Sequence, residues 1–241
     1  MRKVIIIQAR LASSRFPGKV LAELSGKPVI AHVIDRLRAA KNVDDLCVAI
    51  PADASDNPLA EALADIGVCV TRGHGRDVLS RYIQAAYETK AQVIVRATGD
   101  NALVDWRTVE AQIAEIENNP EVDYVTTDGY PDGVATETFR LKTLEKLDFL
   151  ARNDDMRKEV TLYLKANENP FVVKHLKAEG EQRWPDLSLS INRPEDLQFI
   201  QAIYDRLYKE GELIEIGDVI GLLRDNPALM EINQAQELAA V

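Results

Sequence analysis

Three cations, Arg10, Arg15 and Lys19, crowd one loop of a 241-residue chain whose formal net charge is −10. The loop, "QARLASSRFPGK" at positions 8–19, directly follows the β-forming run "VIII". Its Ala, Ser and Gly residues let backbone N–H groups come close to phosphate oxygens. Arg10 and Arg15 can fork onto a phosphate, and Lys19 can act as a mobile point charge. The spacing of a P-loop is absent. Taken alone, the stretch is equally consistent with a solvated basic turn.

A second loop, "RATGDNALVD" at 96–105, ends another apolar run and presents Asp100. A carboxylate facing a phosphate loop suits Mg²⁺, which commonly takes one or two carboxylates together with substrate phosphates. The same Gly-Asp-Asn is also a good turn former. A third, "RGHGRDVL" at 72–79, imitates a dinucleotide fingerprint but lacks the third glycine and is not on the first strand, leaving Arg72 as its one candidate nucleotide contact. His32, His74 and His175 show neither triad nor metal spacing.

Residues 3–8 read as a buried strand, and "GKPVIAHVIDRLRAA" places Val29, Ile30, Val33, Ile34 and Leu37 at helical spacing with Pro28 near the start. Strands at "LCVAI", "VCVTR", "AQVIVRAT" and "VDYVTT" alternate with helices from about Asn57 to Asp65, through "DVLSRYIQAAYET" and through "WRTVEAQIAEIE". This alternation predicts an α/β fold, a mostly parallel sheet flanked by helices. Ligands of such sheets collect at the carboxyl ends of strands, where the first two loops fall. After Asp128 the rhythm breaks, which suggests a smaller inserted subdomain at about 129–186 within one domain, with Val172 and Val173 as a packing surface for a partner. The chain is expected to rejoin the sheet at 187–191, then form helices over "PEDLQFIQAIYDRLYKEG" and "IGDVIGLLRDN" before a frayed tail.

With 46% hydrophobic and 28% charged residues, the composition is that of an ordinary globule. The opening apolar run is too short for a signal segment or a membrane span, so a cytoplasmic protein without membrane contact is expected. The acidic balance disfavours nucleic acid. Cys47 and Cys69 are expected to be buried thiols, since disulfide frameworks and zinc sites need more ligands.

Ordered blocks along nearly the whole chain resemble the cytidylyltransferases that make CMP-activated acidic sugars, most closely their spore-coat polysaccharide branch. The opening motif I-I-Q-A-R-x-x-S-S-R-L-P-G-K is matched from Ile6 to Lys19 with Phe16 for Leu, and "GKPVIAHVIDRL", "RDVLSRYIQAA", "VIVRATGDNALVD", "YPDGVATETF" and "INRPEDLQFIQAIYDRL" follow in order. The resemblance implies a nucleotidyltransferase fold, Rossmann-like or GT-A-like, often dimeric through the segment after the fifth strand. It implies that Arg10 and Lys19 bind CTP phosphates, that Ser13, Ser14 and Arg15 shape the loop, that Ala9 lies near cytosine and that Asp100 holds Mg²⁺.

The departures fall on the metal and acceptor sides. Asn192 stands in place of a metal-binding aspartate, although it could equally cap the following helix. Ala135 replaces an aspartate while Glu137 remains, "MRKEVT" replaces a pattern like R-E-H-V-T at Lys158 and Glu159, and "GDNAL" lacks the usual Cys-Pro. The expected reaction is transfer of CMP from CTP to a small anionic acceptor, an acidic sugar or a phosphate or phosphonate, with Arg10, Lys19 and Asp100 carrying catalysis and pyrophosphate released. Asp132 and Glu137 are the acceptor-side candidates, and a homodimer is expected. Two other readings stay open: a nucleotide-sugar-dependent glycosyltransferase, and a non-catalytic nucleotide- or partner-binding member of the fold.

Overall fold

The computed structural model describes residues 1–167 and 169–234. Strand β1 (Lys3–Gln8) is apolar without interruption because both of its faces are covered. Val4 and Ile6 enter one core with the helices over 78–88 and 141–150, and Ile5 and Ile7 enter the other with the helices over 29–37, 57–66 and 106–118. A two-residue hairpin, β2 (Glu23–Leu24) and β3 (Lys27–Pro28), leads into α1 (Val29–Leu37), for which Pro28 is the N-cap. Then come β4 (Asp45–Pro51), α2 (Asn57–Ile66), β5 (Cys69–Gly73), α3 (Val78–Glu88), β6 (Val93–Thr98), α4 (Trp106–Asn118) and β7 (Tyr124–Asp128). The alternation read from the sequence is therefore the one that forms.

The next segment completes the main sheet. Strand β8 (Glu137–Arg140), helices α5 (Leu141–Leu150), α6 (Asp154–Lys158) and α7 (Leu162–Ala166), and strand β9 (Val173–Lys177) follow. The seven strands are ordered β5-β4-β1-β6-β8-β7-β9. Only β8 runs against its neighbours, pairing antiparallel with both β6 and β7, while β7 and β9 are parallel. Segment 129–186 thus contributes two strands to the same sheet, and its α5 and α7 bury Leu144, Leu147 and Leu164 in the first core.

The strand expected at 187–191 is reduced to one bridge, Asp132 to Ser188. Its alternating Leu187, Leu189 and Ile191 do turn inward, into a third core with α8 (Pro194–Leu207) and α9 (Ile216–Asp225). The backbone, however, bonds two separate loops, at Asp132 and at Asp100, in place of a strand. A short α10 (Glu231–Gln234) follows, and the rest of the expected frayed tail lies outside the described residues. Cys47 is buried as expected, but its register partner Cys69 is exposed because β5 is the sheet edge. Burial, with Cys69 alongside, pushes the Cys47 thiol up to about 12. No helix among the described residues is long and apolar enough to cross a membrane.

Candidate active site

Two adjoining cavities open at the carboxyl ends of β1 and β6, where Gln8 and Thr98 end their strands. The loop after β1 closes on itself, because the Leu11 carbonyl accepts N–H bonds from both Ser13 and Gly18, each at 2.9 Å. The loop is also anchored from outside: the carboxylate of buried Asp56 accepts the Leu11 N–H at 2.6 Å. Gly18, with φ 75°, then turns the chain so that Val20 is buried while Lys19 faces the cavity. Gly99 lets the second loop approach this one, since a Cβ there would sit 2.8 Å from Ile30 Cδ1 and 3.0 Å from Ala9 Cβ.

Lys19 forms an ion pair with Asp100, and its Nζ also donates to the Ile191 carbonyl at 2.8 Å and to Asn192 Oδ1 at 3.5 Å. The ammonium therefore sits among three converging oxygens. Arg15 Nη2 donates to the same Asn192 Oδ1 at 2.9 Å. Asn192 is consequently turned into the site and does not cap α8. That capping falls to Asp196, whose Oδ2 accepts the N–H groups of Asn192 and Arg193, both at 2.8 Å.

Ala9, Arg10, Ser13, Ser14, Arg15, Lys19, Asp100 and Asn192 all line the first cavity, of about 360 Å³. Arg10 makes no hydrogen bond or ion pair with the described residues, which leaves its guanidinium available to an anion. Arg72 is not among the lining residues. Its guanidinium donates to the Asp53 carbonyl at 3.0 Å and to Asn57 Oδ1 at 2.9 Å, bracing the β4–α2 connection.

Sequence reasoning missed Arg81. It is 2% exposed, lines the first cavity, donates to the carbonyls of His74 and Gly75, and keeps a buried Nε without a partner. Burial, and then the nearby charge of Arg10, draws its pKa down against the opposing pull of Tyr82, Asp56 and Asp77, and the two arginines together form a positive wall of the cavity. The available signal was its position on α3, three residues after Val78 and four before Ala85, inside the apolar stripe where a charge needs a reason.

The second cavity, of about 470 Å³, contains Asp132 and Glu137. Asp132 accepts from the Ser188 hydroxyl at 3.0 Å, and Gly133 next to it has φ 84° and packs against the Ser190 backbone too closely for a side chain. Glu137 is paired with Arg96 and Lys165, each at 2.6 Å, and accepts from the Tyr124 and Thr161 hydroxyls. Burial alone would raise its pKa, but Arg96 first, then Lys165 and Tyr124, hold it at about 2. Glu137 is thus a fixed anion that positions two cations. Among the described residues no three or more His, Cys, Asp or Glu side chains cluster as a metal site. The oxygen donors of Asp100 and Asn192, already gathered around an ammonium, are nevertheless of the hard type that suits Mg²⁺.

Known proteins resemble this chain over nearly its full length. The chain is 30% identical to the spore coat polysaccharide biosynthesis protein SpsF of Bacillus subtilis over 230 residues, covering 93% of this chain and 95% of that one. A cytidylyltransferase structure from Leptospira borgpetersenii superposes with a TM-score of 0.87 at 26% identity, covering 95% and 96% of the two chains. The structure of a CMP:2-keto-3-deoxy-manno-octonic acid synthetase complexed with CTP, at 18% identity, shares the fold with a TM-score of 0.69 over 86% of this chain and 99% of that one. The family model described as cytidylyltransferase matches residues 4–220, from the first buried strand into α9, and so takes in the basic loop, Asp100 and Asn192. The chain belongs to the cytidylyltransferase family and is a nucleotidyltransferase.

Proposed function

We propose that this chain transfers CMP from CTP to an acidic sugar or to a phosphate or phosphonate acceptor, releasing pyrophosphate, and that its product feeds cell-surface polysaccharide synthesis. The observation that carries this reading is Lys19. Its ammonium bridges the basic loop to Asp100 and Asn192 at the rim of both cavities, beside an unpaired Arg10.

In this reading the first cavity takes CTP, with Ala9 beside the base, Ser13 and Ser14 shaping the loop, and Arg10, Arg15 and Lys19 on the phosphates. Arg81, behind Arg10, adds to the positive wall. The acceptor lies in the second cavity between Asp132 and the Arg96 and Lys165 cations held by Glu137. Mg²⁺, held by Asp100 and Asn192 together with the phosphates, would neutralise charge at the triphosphate. Attack on the α-phosphorus needs alignment and charge neutralisation more than covalent help. The family relation to SpsF supports the polysaccharide assignment. Dimerisation through segment 129–186 belongs to the same reading, and Phe149, Leu162 and Val172 are exposed apolar side chains there.

Calorimetric titration with CTP, UTP, ATP and GTP, with and without Mg²⁺, tests it. CTP-selective binding strengthened by Mg²⁺, with pyrophosphate release once an acceptor is added, is the expected outcome. Absence of CTP binding would overturn the reading. Tight CTP binding without pyrophosphate release across a wide acceptor panel would favour a non-catalytic nucleotide-binding role.

A further inference from the structure

The two cavities meet at Gln8, Thr98, Asp100, Glu159 and Asn192, which line both. Two of these are carboxylates. Asp100 is occupied by Lys19. Among the described residues the Glu159 side chain pairs only with its chain neighbour Lys158, at 3.9 Å, a separation at which an exposed pair binds weakly.

The backbone around Glu159 is nonetheless fixed. Its N–H donates to the Asp155 carbonyl at 2.9 Å, and its carbonyl accepts from Thr161 N–H. Val160, wholly buried in the first core, holds φ 46°, a left-handed conformation that a β-branched residue keeps only where its surroundings impose it. The Thr161 hydroxyl is bound to Glu137. One rigid turn therefore holds Glu159 at the junction from its C-terminal side, and α6 holds it from the other.

The remaining acceptor-side carboxylates are unsuited to taking a proton in transfer. Glu137 is saturated by two cations and two hydroxyls. Asp132 lies in the second cavity alone and is bonded to Ser188. The cavity's own character matters too. Arg96 and Lys165 are both held by Glu137 at its wall, so the cations of this cavity are already partnered. Buried oxygens of Gln8 and Asn101 there lack partners and call for donors such as hydroxyls.

Resting on the cytidylyltransferase reading, we propose that Glu159 is the general base for a hydroxyl acceptor. The acceptor O–H proton passes to the Glu159 carboxylate as the oxygen forms its bond to the α-phosphorus of CTP. The bond from that phosphorus to the bridging oxygen of the β-phosphate breaks, and pyrophosphate leaves with the electron pair. Glu159 then returns the proton to solvent.

The test uses the full chain with CTP and Mg²⁺, with 3-deoxy-manno-octulosonate and N-acetylneuraminate as hydroxyl acceptors and glycerol phosphate and aminoethylphosphonate as phosphorus-oxyanion acceptors. Pyrophosphate release is followed alongside calorimetric CTP binding. Glu159→Gln is expected to lower kcat with a hydroxyl acceptor by about a hundredfold or more while CTP affinity stays within threefold. Added formate is expected to restore part of the rate to Glu159→Ala, which a structural role would not permit. Glu159→Gln turnover within threefold of the parent, or recovery of full turnover by raising Mg²⁺ alone, would overturn the assignment. Pyrophosphate release only with the phosphorus oxyanions would overturn it while leaving CMP transfer standing. Absence of CTP binding in the parent chain would overturn both.

Discussion

Lys19 and Asp100 are ion-paired across two loops that lie 81 residues apart in the chain, and each is only partly exposed. The pair is where the basic loop and the acidic rim become one site. Lys19→Ala should lower the kcat/KM of pyrophosphate release by about two to three decades, the usual cost of removing one charge-stabilising donor. Steady-state kinetics, with thermal unfolding as a control for the fold, checks this.

The Lys19 ammonium already occupies the oxygens of Asp100 and Asn192, so on the proposed metal site a divalent cation would compete with it until phosphates drew the lysine away. Titration of the parent chain with Mg²⁺ alone should give little heat, and the same titration in saturating CTP should give a saturable isotherm. In Lys19→Ala, Mn²⁺ should bind without nucleotide, as read by electron paramagnetic resonance.

Asn192 offers an oxygen without a charge. Asn192→Asp should lower the Mg²⁺ concentration for half-maximal activity by about tenfold, equivalent to roughly 1.4 kcal/mol. The added carboxylate keeps the Arg15 contact and turns it into an ion pair. A Mg²⁺ activation curve for each protein checks it.

Glu137 carries a pH signature. Its carboxyl lies at about 2 in the folded chain against an ordinary value of 4.5, so the stability it contributes is present above pH 4.5 and is lost as the pH falls toward 2. That contribution is on the order of 3 kcal/mol at neutral pH. Glu137→Gln should unfold more easily than the parent by about this amount at pH 7, since it leaves Arg96 without its counter-charge. The gap should close as both proteins are taken below pH 4.5, which urea unfolding across a pH series measures.

Arg81→Ala should weaken CTP binding by about tenfold to a hundredfold, the cost of losing a charged hydrogen-bond donor. It should also reduce the salt dependence of that binding. Calorimetry at two ionic strengths checks both.

The alternation of strands and helices up to β7 was legible because each element carries its own period and its own turn residues, and the basic loop because its small residues and cations are contiguous. The placement of β8 was not legible. A strand of four residues does not reveal that it will run antiparallel between β6 and β7. The exposure of Cys69 follows from β5 being an edge, which depends on what pairs beyond it and not on "CVTRG" itself.

Within the site, Asn192 was legible as an oddity but not as the acceptor of Arg15, 177 residues away. The occupation of Glu137 by Arg96 and Lys165 was hidden for the same reason, since these partners come from a neighbouring strand and a distant helix. Arg81 broke an apolar stripe visibly, yet only the fold places it behind Arg10.

Lys19 closes its contacts with Ile191 and Asn192 across 172 and 173 intervening steps of chain. During synthesis the first strand and its basic loop emerge long before the residues that complete them. A partly made chain, or one truncated before Asn192, cannot assemble the full cradle. Nucleotide capture would therefore report that the Ile191–Asn192 segment has docked onto the basic loop, and a nucleotide pool would add stability by mass action only from that point on.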